Sequence, residues 1–180
     1  MKPRLSIGVC VLISLVLVLV GLGYGTYGGY VGDRQQVADL LEGENGLAGV
    51  LSYRGADGLN LCVVAQRHLP GDGDVAALRA TAQKLANGKG DMAELSSWNG
   101  ELDAQVSAVR QKLTDSDSFR QSERDQRYLA MLESDLSSLN QSDLAATYNE
   151  AAEKFNHRLN DTLMGGLARL LGVKPCELYE

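Results

Sequence analysis

Aromatic residues are scarce in this chain, 6% of 180 residues, so the side chains that favour pleated sheets are few. Ala, Leu, Gln, Glu and Asp instead crowd the region after residue 30, the composition of helices with polar outer faces. Negative charge is missing altogether from the first 32 residues. Of the 17 Lys plus Arg only Lys2 and Arg4 fall there, which leaves 15 basic against 23 acidic residues beyond, a net charge of -8. A domain that acidic repels nucleic acid and anionic lipid headgroups, so nucleic acid is not expected as a partner. Cysteine is sparse as well. Cys10, Cys62 and Cys176 form no C-x-x-C pair, which argues against zinc. Cys10 sits in the N-terminal apolar run. Cys62 and Cys176 would share an oxidising compartment in an exported domain, where a disulfide is one reading; a buried Cys62 thiol in the run Leu59-Asn60-Leu61-Cys62-Val63-Val64 is the other.

Signatures of chemistry are missing too. There is no G-x-S-x-G nucleophile elbow. Gly88-Lys89-Gly90 lacks the upstream glycine and the Ser or Thr of a phosphate loop. Asp72 and Asp74, or Asp115 and Asp117, begin like calcium loops, but Gln83 and Gln126 stand where a bidentate Glu is needed, so both pairs read as turns and caps. His68 and His157 are the only histidines and neither has a neighbouring ligand set, so each reads as a surface or packing residue. With acids this numerous no carboxylate pair stands out. The sequence therefore assigns no catalytic residue, no metal and no cofactor.

What the chain does have is a long uncharged stretch. No charge lies between Arg4 and Asp33, and Ile7 to Leu22 is almost purely Val, Leu and Ile. About 20 helical residues cross the hydrocarbon core of a bilayer, so the stretch reads as a membrane span with Tyr24, Tyr27 and Tyr30 in the outer headgroup belt. Lys2, Arg4 and the amino terminus flank one side, while Asp33 and Arg34 cancel on the other, which places the N-terminus inside the cell and the remainder outside. A cleaved signal peptide is disfavoured because its apolar core runs only about 7–15 residues before an A-x-A-like site, and Gly23-Tyr24-Gly25 is a poor one. The expected organisation is a cytoplasmic N-terminus at 1–6, a transmembrane anchor at 7–30 and one extracytoplasmic domain at 31–180. Gly21, Gly25 and Gly29 sit four apart, the small-xxx-small spacing of packed membrane helices; the alternative is that glycine is simply common near the ends of such helices.

Beyond the anchor, helical periodicity dominates. Val37, Leu40, Leu41, Leu47, Val50 and Leu51 recur at three and four among several glycines, a weak helix that needs tertiary packing where its small residues allow a neighbour close. It stops at Leu69-Pro70-Gly71-Asp72-Gly73. Asp74 is the expected N-cap of a second helix, Asp91 opens a third with the stripe Leu95, Trp98, Leu102, Val106, Val109 and Leu113, and Thr114 to Ser118 ends it. A last stripe runs through Leu129, Leu132, Leu136 and Leu139, past a hitch at Asn140 to Asp143, to Tyr148, Ala152, Phe155, Leu159, Leu163 and Leu167. If 31–68 rises from the membrane and 74–113 returns, the fold class is all-α: a transmembrane helix followed by an antiparallel up-down bundle of three to four long helices.

Two patches carry a resemblance. Tyr148-Asn149-Glu150-Ala151-Ala152-Glu153-Lys154-Phe155-Asn156 repeats an aromatic-Asn pair, and the chain closes on Gly172-Val173-Lys174-Pro175-Cys176-Glu177-Leu178-Tyr179-Glu180; Tyr53-Arg54-Gly55-Ala56-Asp57-Gly58-Leu59 is the second patch. These resemble the LemA family, whose members combine an N-terminal membrane helix, a helical domain, a YN...YN-type repeat and a G-F-K-P ending followed by an aromatic and Glu. Gly55 stands in place of the family's second Arg, Asn60 near its Pro, Leu163-Met164-Gly165-Gly166 in place of F-P-x-N, and Val173 in place of Phe. The resemblance implies a bacterial cell-envelope protein with no assigned reaction, and marks Arg54, Asp57, Tyr148, Asn149, Phe155, Asn156, Gly172, Lys174 and Pro175 as motif or interaction residues. The two Asn side chains either reach a bundle seam, fixing helix register, or lie solvated on its flank. The functional expectation is a membrane-anchored scaffold that binds the bilayer and an envelope protein or its own copies; the alternative is an envelope hydrolase or an accessory subunit of one.

Overall fold

A computed structural model describes residues 6–43, 45–138 and 141–180, and every regular element among the described residues is a helix. The basic flank with Lys2 and Arg4 within the expected 1–6 segment, and Leu139 and Asn140 at the expected hitch, lie outside them. In chain order the helices are α1 (Ile7–Glu42), α2 (Leu47–His68), α3 (Gly73–Asn87), α4 (Met92–Asp115), α5 (Asp117–Arg120), α6 (Glu123–Ser138), α7 (Gln141–Asp161) and α8 (Leu163–Leu170). The uncharged stretch passes without a break into the helix beyond it, so α1 has 36 residues and, at about 1.5 Å each, a length of roughly 54 Å. The glycine-rich limb expected over 31–68 is not continuous: α1 ends at Glu42 and α2 begins at Leu47. Asn45 between them takes φ 121°, a conformation rare outside glycine.

The chain divides into two compact units. One holds the residues up to Ala38 with Glu150–Cys176, and the other holds Asp39–Asn149 with Glu177–Glu180. In the second, α2 packs against α3, α4 and α6 around Leu51, Leu61, Val64, Leu78, Leu85 and Leu102. Two glycines make this packing close. A methyl group on Gly55 would sit 2.8 Å from Ala82 O and closer still to Ala86 N, and one on Gly58 would sit 2.8 Å from Leu102 Cδ1. Those glycines cost helix propensity, and the close approach of α3 and α4 is what offsets it.

Helix starts follow side-chain capping. At α3 the cap is Asp72, not the expected Asp74, because its carboxylate accepts from Asp74 N and Val75 N. Asp91 caps α4 in a reciprocal box with Glu94. On α4, Leu95, Leu102, Val109 and Leu113 are buried as expected, but Trp98 and Val106 lie half out and Met92 and Asn99 lie in. The buried line passes through Asn99 in place of Trp98 and extends back to Met92.

In the first unit, the last helical stripe is core through Phe155 and Leu159, and then departs from expectation: Leu163 is 85% exposed. Thr162 restarts the chain as the N-cap of α8, its hydroxyl accepting from Gly165 N at 2.9 Å, and this swings Leu163 off the α7 core line. Helix α8 closes in a Schellman motif, with Gly172 N donating to Arg169 O and Val173 N to Ala168 O, both 3.0 Å. Gly172 takes φ 97°, which accounts for glycine at this position of the closing motif.

Candidate functional site

The two motif asparagines neither line a helix seam nor sit solvated; each grips the backbone of the non-helical C-terminal tail. Asn156 Nδ2 donates to Cys176 O at 2.8 Å and Cys176 N donates to Asn156 Oδ1 at 2.8 Å. Asn149 repeats the pattern with Tyr179, at 2.6 Å and 2.8 Å. A carboxamide has the donor and acceptor of a peptide group, so each Asn pairs with one tail residue as a strand neighbour would. Seven residues of helix advance about 10.5 Å and three residues of extended chain about 10 Å, which is why the pairs at 149 and 156 suit residues 179 and 176. Tyr148, buried, adds a third grip by donating its hydroxyl to Glu177 O at 2.7 Å.

The tail's own aromatic ends in a polar setting. Tyr179 Oη is buried, with Ser96 and Asn99 nearby but neither at hydrogen-bonding geometry, and burial pushes its pKa up. Beside it Arg54, only 4% exposed, donates from Nε to Asn99 Oδ1 at 2.8 Å and from Nη1 to Leu136 O at 2.7 Å, and pairs through Nη2 with Asp103. One guanidinium thus joins α2, α4 and α6. Asp57, one turn on, has its carboxyl pushed up by burial and by the nearby Asp135 charge. Arg54 is part of a packed interior rather than an exposed contact patch, and Asp57 is half-buried at its edge.

The other motif residues have structural places as well. Phe155 meets the Tyr30 ring edge-on with centroids 6.4 Å apart. The Lys174 carbonyl accepts from Arg34 Nε at 3.2 Å, and Pro175 continues the tail without an N–H to satisfy. Gly21, Gly25 and Gly29 stand on α1 with nothing within 4 Å of a Cβ built on them. All three cysteines are free thiols; Cys62 is fully buried with Val75 O 3.7 Å from its sulfur.

One cluster has the residue types of a hydrolase. Ser118 Oγ lies 3.0 Å from His68 Nδ1, and His68 Nε2 lies 2.9 Å from Asp125 Oδ2. Asp125 is also held by Arg67 Nη1 at 2.6 Å and Ser122 Oγ at 3.1 Å, and its pKa is pulled down, chiefly by the His68 hydrogen bond. The imidazole packs edge-on against Phe119 at 5.4 Å. These bonds tie the end of α2 to the α5–α6 turn, a structural joint that keeps the His68 side chain mostly buried. Adjacent to it opens a groove of about 640 Å³ between α2 and α6, with exposed Val63, Tyr128 and Met131 and the arginines Arg67, Arg124 and Arg127, but without Ser118 or His68 in its lining.

Sequence reading missed Asn99, Asp103 and Asp125, and it gave two residues other places: Tyr30, expected in the headgroup belt, is buried against Phe155, and Ser118, expected only to end a helix, meets His68. Asn99 alone left a signal, lying four after Leu95 and three before Leu102 in the core stripe. Among the described residues no cluster of three or more His, Cys, Asp or Glu is arranged to hold a metal ion. No family model, curated protein or solved structure matches the chain.

Proposed function

We propose that this chain is a single-pass, membrane-anchored scaffold of the LemA type, with its N-terminus in the bacterial cytoplasm and an antiparallel up-down helical domain outside that binds another envelope protein. The observation that carries the anchor is exposure. Twelve large apolar side chains from Ile7 to Leu22 are 40–85% exposed, with no other part of the described chain over them. Leaving that many in water would cost on the order of tens of kcal/mol, and a bilayer removes the cost over the same length. For a partner, the groove between α2 and α6 offers an apolar floor with three arginines, two of them already paired to Asp125 and Glu123, on an otherwise acidic protein. This suits a helix with an apolar ridge and flanking carboxylates. Self-association through Gly21, Gly25 and Gly29 is compatible with the same topology.

Protease added to intact protoplasts should digest the domain, and tagged N-terminal residues should stay protected. Protection of the domain, or its release into the medium, refutes the anchor. The second reading, an envelope hydrolase, is favoured by the Ser118–His68–Asp125 line alone. It requires covalent labelling by a fluorophosphonate that Ser118→Ala abolishes; the scaffold reading expects no such labelling.

A further inference from the structure

Helix α8 is amphipathic the wrong way round for a soluble protein. Its small residues Gly165 and Ala168 are buried, while Leu163, Met164, Leu170 and Leu171 are 44–86% exposed. With half-exposed Leu167 these fall at i, i+1, i+4, i+7 and i+8, a single stripe along one side. On Gly165 the inward face is too tight for any side chain, since a Cβ would collide with Arg158 O and Leu159 O. The large residues are outside because only small ones fit inside.

The contacts that α1 makes with the end of α7, with α8 and with the tail set the height of α8. Going down α1 towards the N-terminus, Arg34 Nε donates to Lys174 O at 3.2 Å, Asp33 pairs with Arg158 at 2.8 Å, Tyr30 Oη meets Thr162 Oγ1 at 2.8 Å, and Thr26 Oγ1 donates to Met164 Sδ at 3.6 Å. The chain therefore descends beside α1 from the end of α7 into α8, reaches the level of Thr26 at Met164, and is back at the level of Arg34 by Lys174. Thr26 is 19 residues past Ile7, roughly 29 Å along the helix, close to the thickness of the hydrocarbon core at about 30 Å. The exposed stripe lies where the span leaves the lipid.

We infer that α8 is a second membrane contact, an interfacial helix that lays Leu163, Leu167, Leu170 and Leu171 into the outer leaflet beside the α1 span. This rests on α1 being the anchor. Charge supports the bilayer as occupant: from Thr162 to Cys176 there is no acid, and Arg169 and Lys174 are the only charges, in a protein of net charge -6. Interfacial helices pair an apolar face with such basic residues. Docked this way, α8 would fix the tilt and rotation of its own unit, α1 and α8 together, on the membrane, which a single span leaves free.

The test uses the full-length protein in vesicles of phosphatidylcholine and phosphatidylglycerol. On a Trp98→Phe background a single tryptophan is placed at Leu170, at Leu163 or at Val16, all exposed, so that no core contact is disturbed. Lipids carry bromine either near the glycerol end or near the end of the acyl chains. Val16→Trp should be quenched most by the deep bromines. Leu170→Trp and Leu163→Trp should be quenched most by the shallow ones. Quenching at Val16 with none at Leu163 and Leu170 overturns the inference and leaves the anchor standing. A blue-shifted but unquenched Leu170→Trp means that a protein surface covers α8, which also overturns it. No quenching at Val16 removes the anchor and this inference together.

Discussion

Asn156→Ala removes both hydrogen bonds that hold Cys176 to α7 without touching the buried stripe of that helix. Each such bond contributes a net 0.5–1.5 kcal/mol, so losing two should cost about 1–3 kcal/mol of tail closure. In population terms the open tail should become roughly 5- to 150-fold more frequent. The Cys176 thiol reports this. It is half-buried, and burial raises its pKa against the opposing pull of Arg34, so the closed tail presents little reactive thiolate. A thiol whose folded pKa is raised favours closure below its ordinary pKa of about 8.5 and loses that contribution as pH rises through the folded value, so opening should increase in alkali. Maleimide labelling of full-length protein in detergent, on a Cys10→Ser background, leaves fully buried Cys62 as an internal control. Asn156→Ala should label Cys176 faster while Cys62 stays slow. Asn156→Asp should behave similarly, since a carboxylate has no donor for Cys176 O. Equal Cys176 labelling in parent and variant would show that the clamp does not hold the tail.

Three further outcomes are expected. Gly55→Ala should destabilise by about 1–3 kcal/mol through collision with the α3 backbone, whereas Gly100→Ala, which meets nothing within 4 Å, should stabilise by up to about 1 kcal/mol; urea unfolding followed by Trp98 fluorescence compares them, and shifts of the same sign would contradict the packing. Arg54→Met should cost about 3 kcal/mol by leaving Asn99 and the Leu136 carbonyl without their donor, and an unchanged denaturation midpoint would refute its linking role. Asp125 has a lowered pKa, so its contribution is present above the ordinary carboxylate value and is lost as pH falls through the folded one. Amide exchange at the α5–α6 turn should therefore stay slow from neutral pH down to about pH 4 and accelerate below it; acceleration already near pH 6 would assign control to another group.

Local pattern by itself marked that the chain is helical and where several of the helices lie. A chain without charge from residue 5 to 32 marks the start of α1, the spacing of Leu95, Leu102, Val109 and Leu113 at seven, seven and four announces α4, and Asp91 announces where α4 begins. Such signals involve residues within one or two turns of each other, so no knowledge of the chain path is needed to read them. Partners far along the chain are a different matter. That Asn149 and Asn156 matter was legible from their repeat, but their partners lie 30 and 20 residues on, and only the path of the tail brings a peptide group to each carboxamide. His68 and Asp125 meet across 57 residues, and Arg54 meets Leu136 across 82. Leu163 continued the α7 stripe in sequence, yet the Thr162 cap and the cramped seat of Gly165 turned it outward. Periodicity says which residues share a face; what that face meets is decided by where the rest of the chain has gone, because hydrogen bonds and packing act across a few ångströms of space regardless of separation in sequence.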